Sequence, residues 1–412
     1  MSEMKIACLA IAGGCVRSQM DMSRIASYLR ANGWHVVNKP DAADLLVVCG
    51  CAFTNEAEAL SCSYLRSLTK RVRPTTQVVV VGCIAGIVPE PTFEAMGVKS
   101  LTRDRLDRLD GLIDAAVPFA EVPDANVLDG AVREGSECFG LFADVRAWTS
   151  YPADLPVNAI LGVRDRLRKS LPGRRPKSET VYRIRVGTGC SSRCTYCVIR
   201  LATGELKSKP IDQVLREFES GRAAGFKRFE LVGEDVGAYG QDIGVSVVDL
   251  LNALFAVPGD YSVEWGDFGP NWLVRYAEGL LPLIRTNADR IHFAAFPIQS
   301  GSERILRAMA RPYTASEVVE CASAIKRDAP SVLLGTHIMV GFPGESHEDF
   351  RQTVAAVRAV PFDVVQPYVY SPRAGTPAAA MPNRVGELAK QARAWSFRLE
   401  WRMSRPRSRV SR

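Results

Sequence analysis

The chain has 412 residues, 47% apolar and 24% charged, with a formal net charge of +7. That balance is globular and excludes collagen, coiled coil and whole-chain disorder, while no run of about 18 apolar residues offers a transmembrane span. The length predicts two or three domains at roughly 100–200 residues each.

Lys5 to Ile11 reads as a first strand. The opening MSEMKIACLAIAGGC superficially resembles an export signal, but Glu3 and a short apolar core argue against one. Asp21 to Asn32 is helical in pattern, with Met22, Ile25 and Leu29 on one face and Gly33 as its stop. Asp44 to Val48 and Gln77 to Val81 are continuous apolar runs, as in parallel strands covered on both faces. Residues 1–124 therefore read as a doubly wound parallel α/β domain. Residues 125–180 lack a clear period, contain the basic stretch Arg164 to Lys177, and read as a connector.

A second alternating series starts at Tyr182, with strands expected at 182–187, 228–232, 262–266, 290–296, 334–340 and 363–370. Pro210 opens a helix carrying Ile211, Val214, Leu215 and Phe218 at i, i+3, i+4 and i+7. Helical patterns also follow strands two to five. Six such units over residues 181–385 predict a partial (β/α)6 barrel, with chemistry at the C-terminal strand ends. Residues 386–412 hold a helical stretch and an Arg-rich tail that includes Arg405, Arg407 and Arg409. Basic runs of this kind meet phosphate in some proteins and are solvated faces in more. The fold class is α/β throughout.

Eleven cysteines are many for this length, and they lack the even spacing of a secreted disulfide framework. A reducing cytoplasm is the expected location, and there cysteines commonly bind metal or do redox work. In GTGCSSRCTYCVIR, Cys190, Cys194 and Cys197 stand in C-x3-C-x2-C spacing after the strand at 182–187. Thiolates select zinc or iron–sulfur. Structural zinc asks for four ligands and no fourth Cys or His follows nearby; a [4Fe–4S] cube on three Cys leaves one iron open.

This segment, with Tyr196 before its third Cys, resembles the radical SAM superfamily. The resemblance implies that the open iron binds S-adenosylmethionine and that one electron releases a 5′-deoxyadenosyl radical. It also implies cofactor contacts from Tyr196, Gly233 and Glu234 (LVGE), Gln299 and Ser300 (PIQSGS), Val340 and Gly341 (IMVGFPGE), and Arg373 (YSPRAGTPAA).

Cys15, Cys51 and Cys83 each follow an apolar strand and a Gly. In a parallel sheet those strand ends share one edge, about 4.8 Å apart, so the three thiols are expected at one crevice. The alternative is three separately buried small hydrophobes. The segments GCVRSQMD, ADLLVVCGCAFTNEA and VVVVGC resemble the N-terminal domain of the methylthiotransferases, which modify tRNA adenosines or a ribosomal-protein aspartate. That resemblance runs from about residue 4 to 385. It implies a second [4Fe–4S] cluster on Cys15, Cys51 and Cys83, two molecules of S-adenosylmethionine per turnover, a sulfide source, and a low-potential donor such as flavodoxin or ferredoxin. Little acid–base work is needed, in keeping with only four His, none in a recognisable catalytic pairing.

The chain departs from the family pattern at Ser18, at Asp21-Met22-Ser23, at Cys49 (a spare thiol two residues before Cys51), at Thr203 and at His337. After Pro382 only about thirty residues remain, too few for the TRAM domain with which family members end. The expected activity is a radical S-adenosylmethionine methylthiotransferase acting on an unactivated C–H bond of a peptide or protein side chain or another non-tRNA substrate. The alternatives are a tRNA adenosine 2-methylthiotransferase and a non-catalytic iron–sulfur or zinc-stabilised binding protein. No membrane partner is expected. Cys8, Cys62, Cys138 and Cys321 are assigned to packing.

Overall fold

The computed structural model describes residues 4–37, 39–129 and 181–404. The basic stretch at 164–177, Cys138 and the Arg-rich tail from Arg405 lie outside the described residues, as does nearly all of the connector. Two compact units form. One gathers residues up to 129 with 181–192 and Val198–Glu234; the other gathers Arg193–Cys197 and residues 235–404.

The first unit is built on β1 (Ile6–Ala12), β2 (His35–Val37), β3 (Leu45–Gly50), β4 (Gln77–Val81) and β5 (Lys99–Leu101), ordered β2-β1-β3-β4-β5. Every neighbouring pair is parallel. Successive side chains alternate between faces. Leu45, Val47 and Cys49 join one core with Met22, Ile25 and Leu29 of α1 (Val16–Ala31). Leu46 and Val48 join the other with Leu65 and Leu68 of α2 (Asn55–Thr69). This explains the unbroken apolar runs, because both faces are covered. Cys8 packs in the second core, with Cys62 half-buried against it.

Helix α1 starts five residues before the expected Asp21. Its first turns, VRSQMDM, look too polar for a core-facing helix, yet Ser18, Asp21 and Ser23 are all buried. They are satisfied by specific partners, so apolar periodicity does not register them.

The same unit contains the parallel pair β6 (Tyr182–Arg185) and β9 (Arg228–Val232). Between them lie the antiparallel pair β7 (Gly187–Thr188) and β8 (Lys207–Ser208), and the helix Ile211–Ala223, entered through Pro210 as expected. Val214 and Phe218 are its buried anchors, and Phe218 meets Phe229 of β9 at 4.4 Å between ring centroids.

In the second unit β10 (Ser262–Trp265), β11 (Ile291–Ala295), β12 (Leu333–Val340) and β13 (Val364–Val369) pair in parallel in chain order. Three of its helices open on reciprocal capping boxes, at Ser246 with Asp249, Thr314 with Glu317 and Ser346 with Asp349. Each box satisfies two orphan N–H groups and so fixes where a strand-to-helix loop ends. The last helix, Glu387–Ser404, is anchored by Lys390, whose Nζ donates to the Tyr370 carbonyl at 3.2 Å, and by Arg393, whose guanidinium grips buried Glu345. Among the described residues no helix is long and apolar enough to cross a membrane.

Candidate functional site

The strand order of the first sheet makes β1 and β3 the point where the winding reverses, and crevices outside strand C-termini at such points are where doubly wound sheets bind ligands. Cys15 caps α1 just after β1, Cys51 directly follows β3, and Cys83 begins α3 (Cys83–Ile87) after β4. Cys83 lies within electrostatic reach of both Cys15 and Cys51. Ser61 of α2 ties two of these loops together: its hydroxyl accepts from Cys51 N at 3.0 Å and reaches the Cys51 and Ala12 carbonyls at 2.8 and 3.1 Å. Gly82, at φ 87°, has no room for a side chain, because a Cβ would stand 2.8 Å from the Cys49 sulfur and 2.9 Å from the Gly50 carbonyl.

The thiols differ electrostatically. Desolvation works against a Cys15 thiolate, but Arg17, Arg103 and the Ser18 hydroxyl more than offset it, and the thiol is held below its ordinary value. Burial pushes the Cys83 thiol up to about 11, with Arg103 opposing. Cys49 is fully enclosed in the α1 core and burial pushes its thiol far up. The spare thiol thus sits inside the sheet's packing, whereas Cys51 lies beyond the strand end.

Behind the crevice runs a buried ionic network that sequence reasoning missed. Arg103 donates from Nε to Asp21 at 2.6 Å and from its guanidinium to Glu234 Oε1 at 2.7 Å. Arg185 of β6 donates to the second Asp21 oxygen at 2.6 Å. Arg17 donates to the Gly233 carbonyl at 2.9 Å, with its Nε 3.8 Å from Glu234. Burial works against the charge on Arg103; Asp21 and Glu234 more than offset it and hold the guanidinium above the ordinary arginine value. Asp124 is held below the usual carboxylate range, burial being outweighed by Arg185, Lys209 and Arg24. Glu234 Oε2 is buried without a partner, an acceptor left over for a cationic group. An ammonium is such a group, so the expected cofactor role of Gly233 and Glu234 has a physical basis.

Helix α3 also packs on α4 (Ile199–Thr203), the helix that follows the 190–197 loop. A Cβ on Gly86 would stand 2.7 Å from the Ala202 Cα.

Cys190 follows the β7 strand, and its N–H donates to the Gly204 carbonyl at 3.3 Å. Gly189 before it has φ 75°, and a Cβ there would fall 2.0 Å from the Glu205 carbonyl oxygen. Gly189→Ala is expected to cost about 1–3 kcal/mol in backbone strain alone and to displace Cys190. Iron content after anaerobic reconstitution, compared with the unaltered chain, checks this.

In the second unit Cys194, Tyr196 and Cys197 are held by backbone and ring contacts. Thr195 N donates to the Met309 carbonyl at 3.1 Å, and Thr195 Oγ1 to the Ala308 carbonyl at 2.8 Å. The Thr195 carbonyl accepts from Ala378 N at 2.9 Å. Tyr196 packs with Met309, Met339, Phe342 and Tyr370, with Cys194 and Cys197 against the same cluster. Its hydroxyl accepts from Arg311 at 2.5 Å.

The other candidate cofactor residues divide. Gln299 is buried at φ 64°, strained for a residue with a Cβ, and its Oε1 has no partner. Strain with an unmet acceptor marks it as a candidate ligand contact. The Ser300 hydroxyl is engaged by Thr353 and Ser302 N, and Gly341 N already donates to Glu345. Val340 offers its carbonyl to Tyr370 N, and Arg373 is buried, its carbonyl holding Thr376. His337 stacks edge-on against Tyr368, and burial pulls its imidazole below the ordinary value, opposed by Asp267.

Among the described residues no group of three or more His, Cys, Asp or Glu side chains is drawn together tightly enough for a single metal ion. A four-iron cube places each thiolate on a different iron and asks for wider spacing than a zinc ion does. Two all-sulfur trios fit that group by donor type.

The model of the uncharacterised protein family UPF0004 matches residues 8–102, and that of the radical SAM superfamily matches residues 184–357. A tRNA-2-methylthio-N(6)-dimethylallyladenosine synthase of Pelotomaculum thermopropionicum is 30% identical over 93% of this chain and 79% of its own length. A protein described as a probable threonylcarbamoyladenosine tRNA methylthiotransferase, from Pyrococcus horikoshii, is 28% identical over 95% of the chain and 83% of its own length. In fold, the radical S-adenosylmethionine methyltransferase TsrM of Kitasatospora setae is similar at TM-score 0.59 and 14% identity, covering 91% of this chain and 77% of that one.

Proposed function

Because the chain belongs to the radical SAM methylthiotransferase family, whose members use S-adenosylmethionine and [4Fe–4S] clusters, we propose that it transfers a methylthio group to a tRNA adenosine. The observation that carries this is the naming of its relatives: those matched over nearly the whole chain are described as acting on tRNA. They favour tRNA over the peptide or other non-tRNA acceptor expected from the sequence, and they differ among themselves in the adenosine they name, so the base and its prior modification are for experiment to identify.

In this reading Cys190, Cys194 and Cys197 hold one cluster and Cys15, Cys51 and Cys83 the other, within domains of 1–124 and 181–385. When bound, the clusters and S-adenosylmethionine supply the radical chemistry that opens a C–H bond and the sulfur and methyl that replace its hydrogen. The chain's residues bind and orient. Glu234 presents its unmet oxygen to the ammonium of S-adenosylmethionine while Arg103 and Arg17 fix the carboxylate from behind. Gln299 presents its unmet carbonyl oxygen, pinned by backbone hydrogen bonds to His337 and Met339. Tyr196, Phe342 and Met339 keep water from the cysteine loop. A low-potential donor and a sulfide source complete the turnover, in a reducing cytoplasm that keeps thiols available; none of the ten described cysteines is in a disulfide.

Co-expression with tRNA from a strain lacking methylthio-adenosine, followed by nucleoside mass spectrometry, tests the substrate. A gain of about 46 Da on an adenosine, the net CH2S added when a CH3S group replaces a hydrogen in transfer chemistry of this class, is the expected result. Unmodified tRNA together with the same gain on a co-expressed peptide would restore the protein acceptor.

A further inference from the structure

Arg311 stands just past the helix Glu303–Ala308, between the rings of Tyr196 and Tyr313, whose centroids are 5.7 and 5.9 Å from its guanidinium carbon. It donates to the Tyr196 hydroxyl, and its Nε is buried without an acceptor. Among the described residues no Asp or Glu forms an ion pair with it within 4.0 Å. An acid within electrostatic reach is Asp235, whose oxygens are committed to Gly237 N, Gly269 N and Trp272 Nε1 at 3.1, 2.8 and 2.9 Å. A cation enclosed by aromatic rings with no carboxylate is unusual, since charges withdrawn from water are normally paired. A thiol of the 190–197 loop is also in reach: Arg311 acts electrostatically on Cys194, and Tyr196, which it holds, is sensitive to both Cys194 and Cys197.

We propose that Arg311 is a positioning residue that supplies the counter-charge for an iron–sulfur cluster on Cys190, Cys194 and Cys197, and thereby makes that cluster easier to reduce. The inference rests on the cluster assignment made above. Three thiolates bring three negative charges into a site partly withdrawn from water, and the electron taken up adds another. A fixed cation nearby favours the more negative, reduced state, because net charge and burial set cluster potential. Tyr196 and Tyr313 contribute ring faces that hold the guanidinium by cation–π attraction without cancelling its charge. An aspartate or glutamate partner would cancel it, so the absence of one is part of the device.

The test is an anaerobic redox titration followed by EPR on the full chain carrying Cys15→Ala and Cys83→Ala, so that one cluster signal remains. In that background Arg311→Met is expected to keep its iron but show at least a tenfold smaller ratio of reduced to oxidised cluster at the parent's midpoint, a shift of 59 mV for a one-electron couple. Arg311→Lys, which retains the charge but not the fork, is expected to shift less than half as far. Equal midpoints in the iron-loaded parent and Arg311→Met overturn the proposal. If Arg311→Met and Arg311→Gln both lose iron while Arg311→Lys keeps it, the charge requirement stands; loss from all three makes the residue merely structural and overturns it. Failure of the parent itself to bind iron would instead remove the cluster assignment.

Discussion

Replacing Cys190 with Ala is expected to bring release of 5′-deoxyadenosine down to background, and to lower bound iron from about eight atoms per chain to about four. A cube held by three protein thiolates has no spare ligand. The 190–197 loop offers no other Cys or His, so one substitution removes the cluster and not merely its orientation. Cys15→Ala and Cys83→Ala are expected to show the complementary pattern: about four iron retained, deoxyadenosine still released under reductant, and no methylthio product. Cys49→Ala is expected to leave both readouts near those of the unaltered chain, because that thiol is fully buried in the core that holds Val47, Val81 and Met22, and burial disfavours the thiolate a cluster would need. Iron and deoxyadenosine assays on the four variants check this together. If Cys15→Ala and Cys190→Ala lose the same activity and the same iron, the division of labour between the two trios is wrong.

The second large effect concerns stability. Arg103→Met is expected to destabilise the first unit by about 3–5 kcal/mol, because removing one partner of a buried ion pair leaves its charge uncompensated. Arg103, Asp21 and Glu234 have side chains only 5%, 4% and 2% exposed, so water cannot replace the lost partner. Asp21 retains Arg185, which places the greater damage at Glu234, where the remaining cation is Arg17 at 3.8 Å. Lysine is expected to rescue poorly, since a single ammonium cannot reproduce a planar fork that serves two carboxylates in different directions. Chemical denaturation of Arg103→Met, Asp21→Asn and the double variant measures the coupling. A double variant whose loss is well below the sum of the singles supports the network; strict additivity removes it.

The two cysteine trios, the parallel strands and the order of the βα units are all legible in the sequence, because each is written in local terms. The strand at 77–81 can be read to the residue, since a continuous β-branched run bounded by Gly has few other uses, and the one at 228–232 also matches its expected bounds. Three cysteines at three strand ends can be placed at one edge without coordinates, because parallel winding brings the C-termini of alternate segments to the same side. The start of α1 escapes such reading for the converse reason. Its first turns bury Ser18, Asp21 and Ser23, and the two arginines that make the burial of Asp21 tolerable come from elsewhere in the chain.

Spacing and periodicity thus determined at which strand ends the cysteines fall. Only the tertiary structure decided what surrounds the sulfur. Asp21 meets Arg103 across 82 residues and Arg185 across 164, and Arg103 meets Glu234 across 131. Arg311 reaches Tyr196 across 115 residues, and no carboxylate forms an ion pair with it among the described residues. A lone arginine in a sequence has no period and no fixed partner. Its consequence depends on whether folding delivers an opposite charge to it or leaves it unpaired, and that is a property of the packed chain.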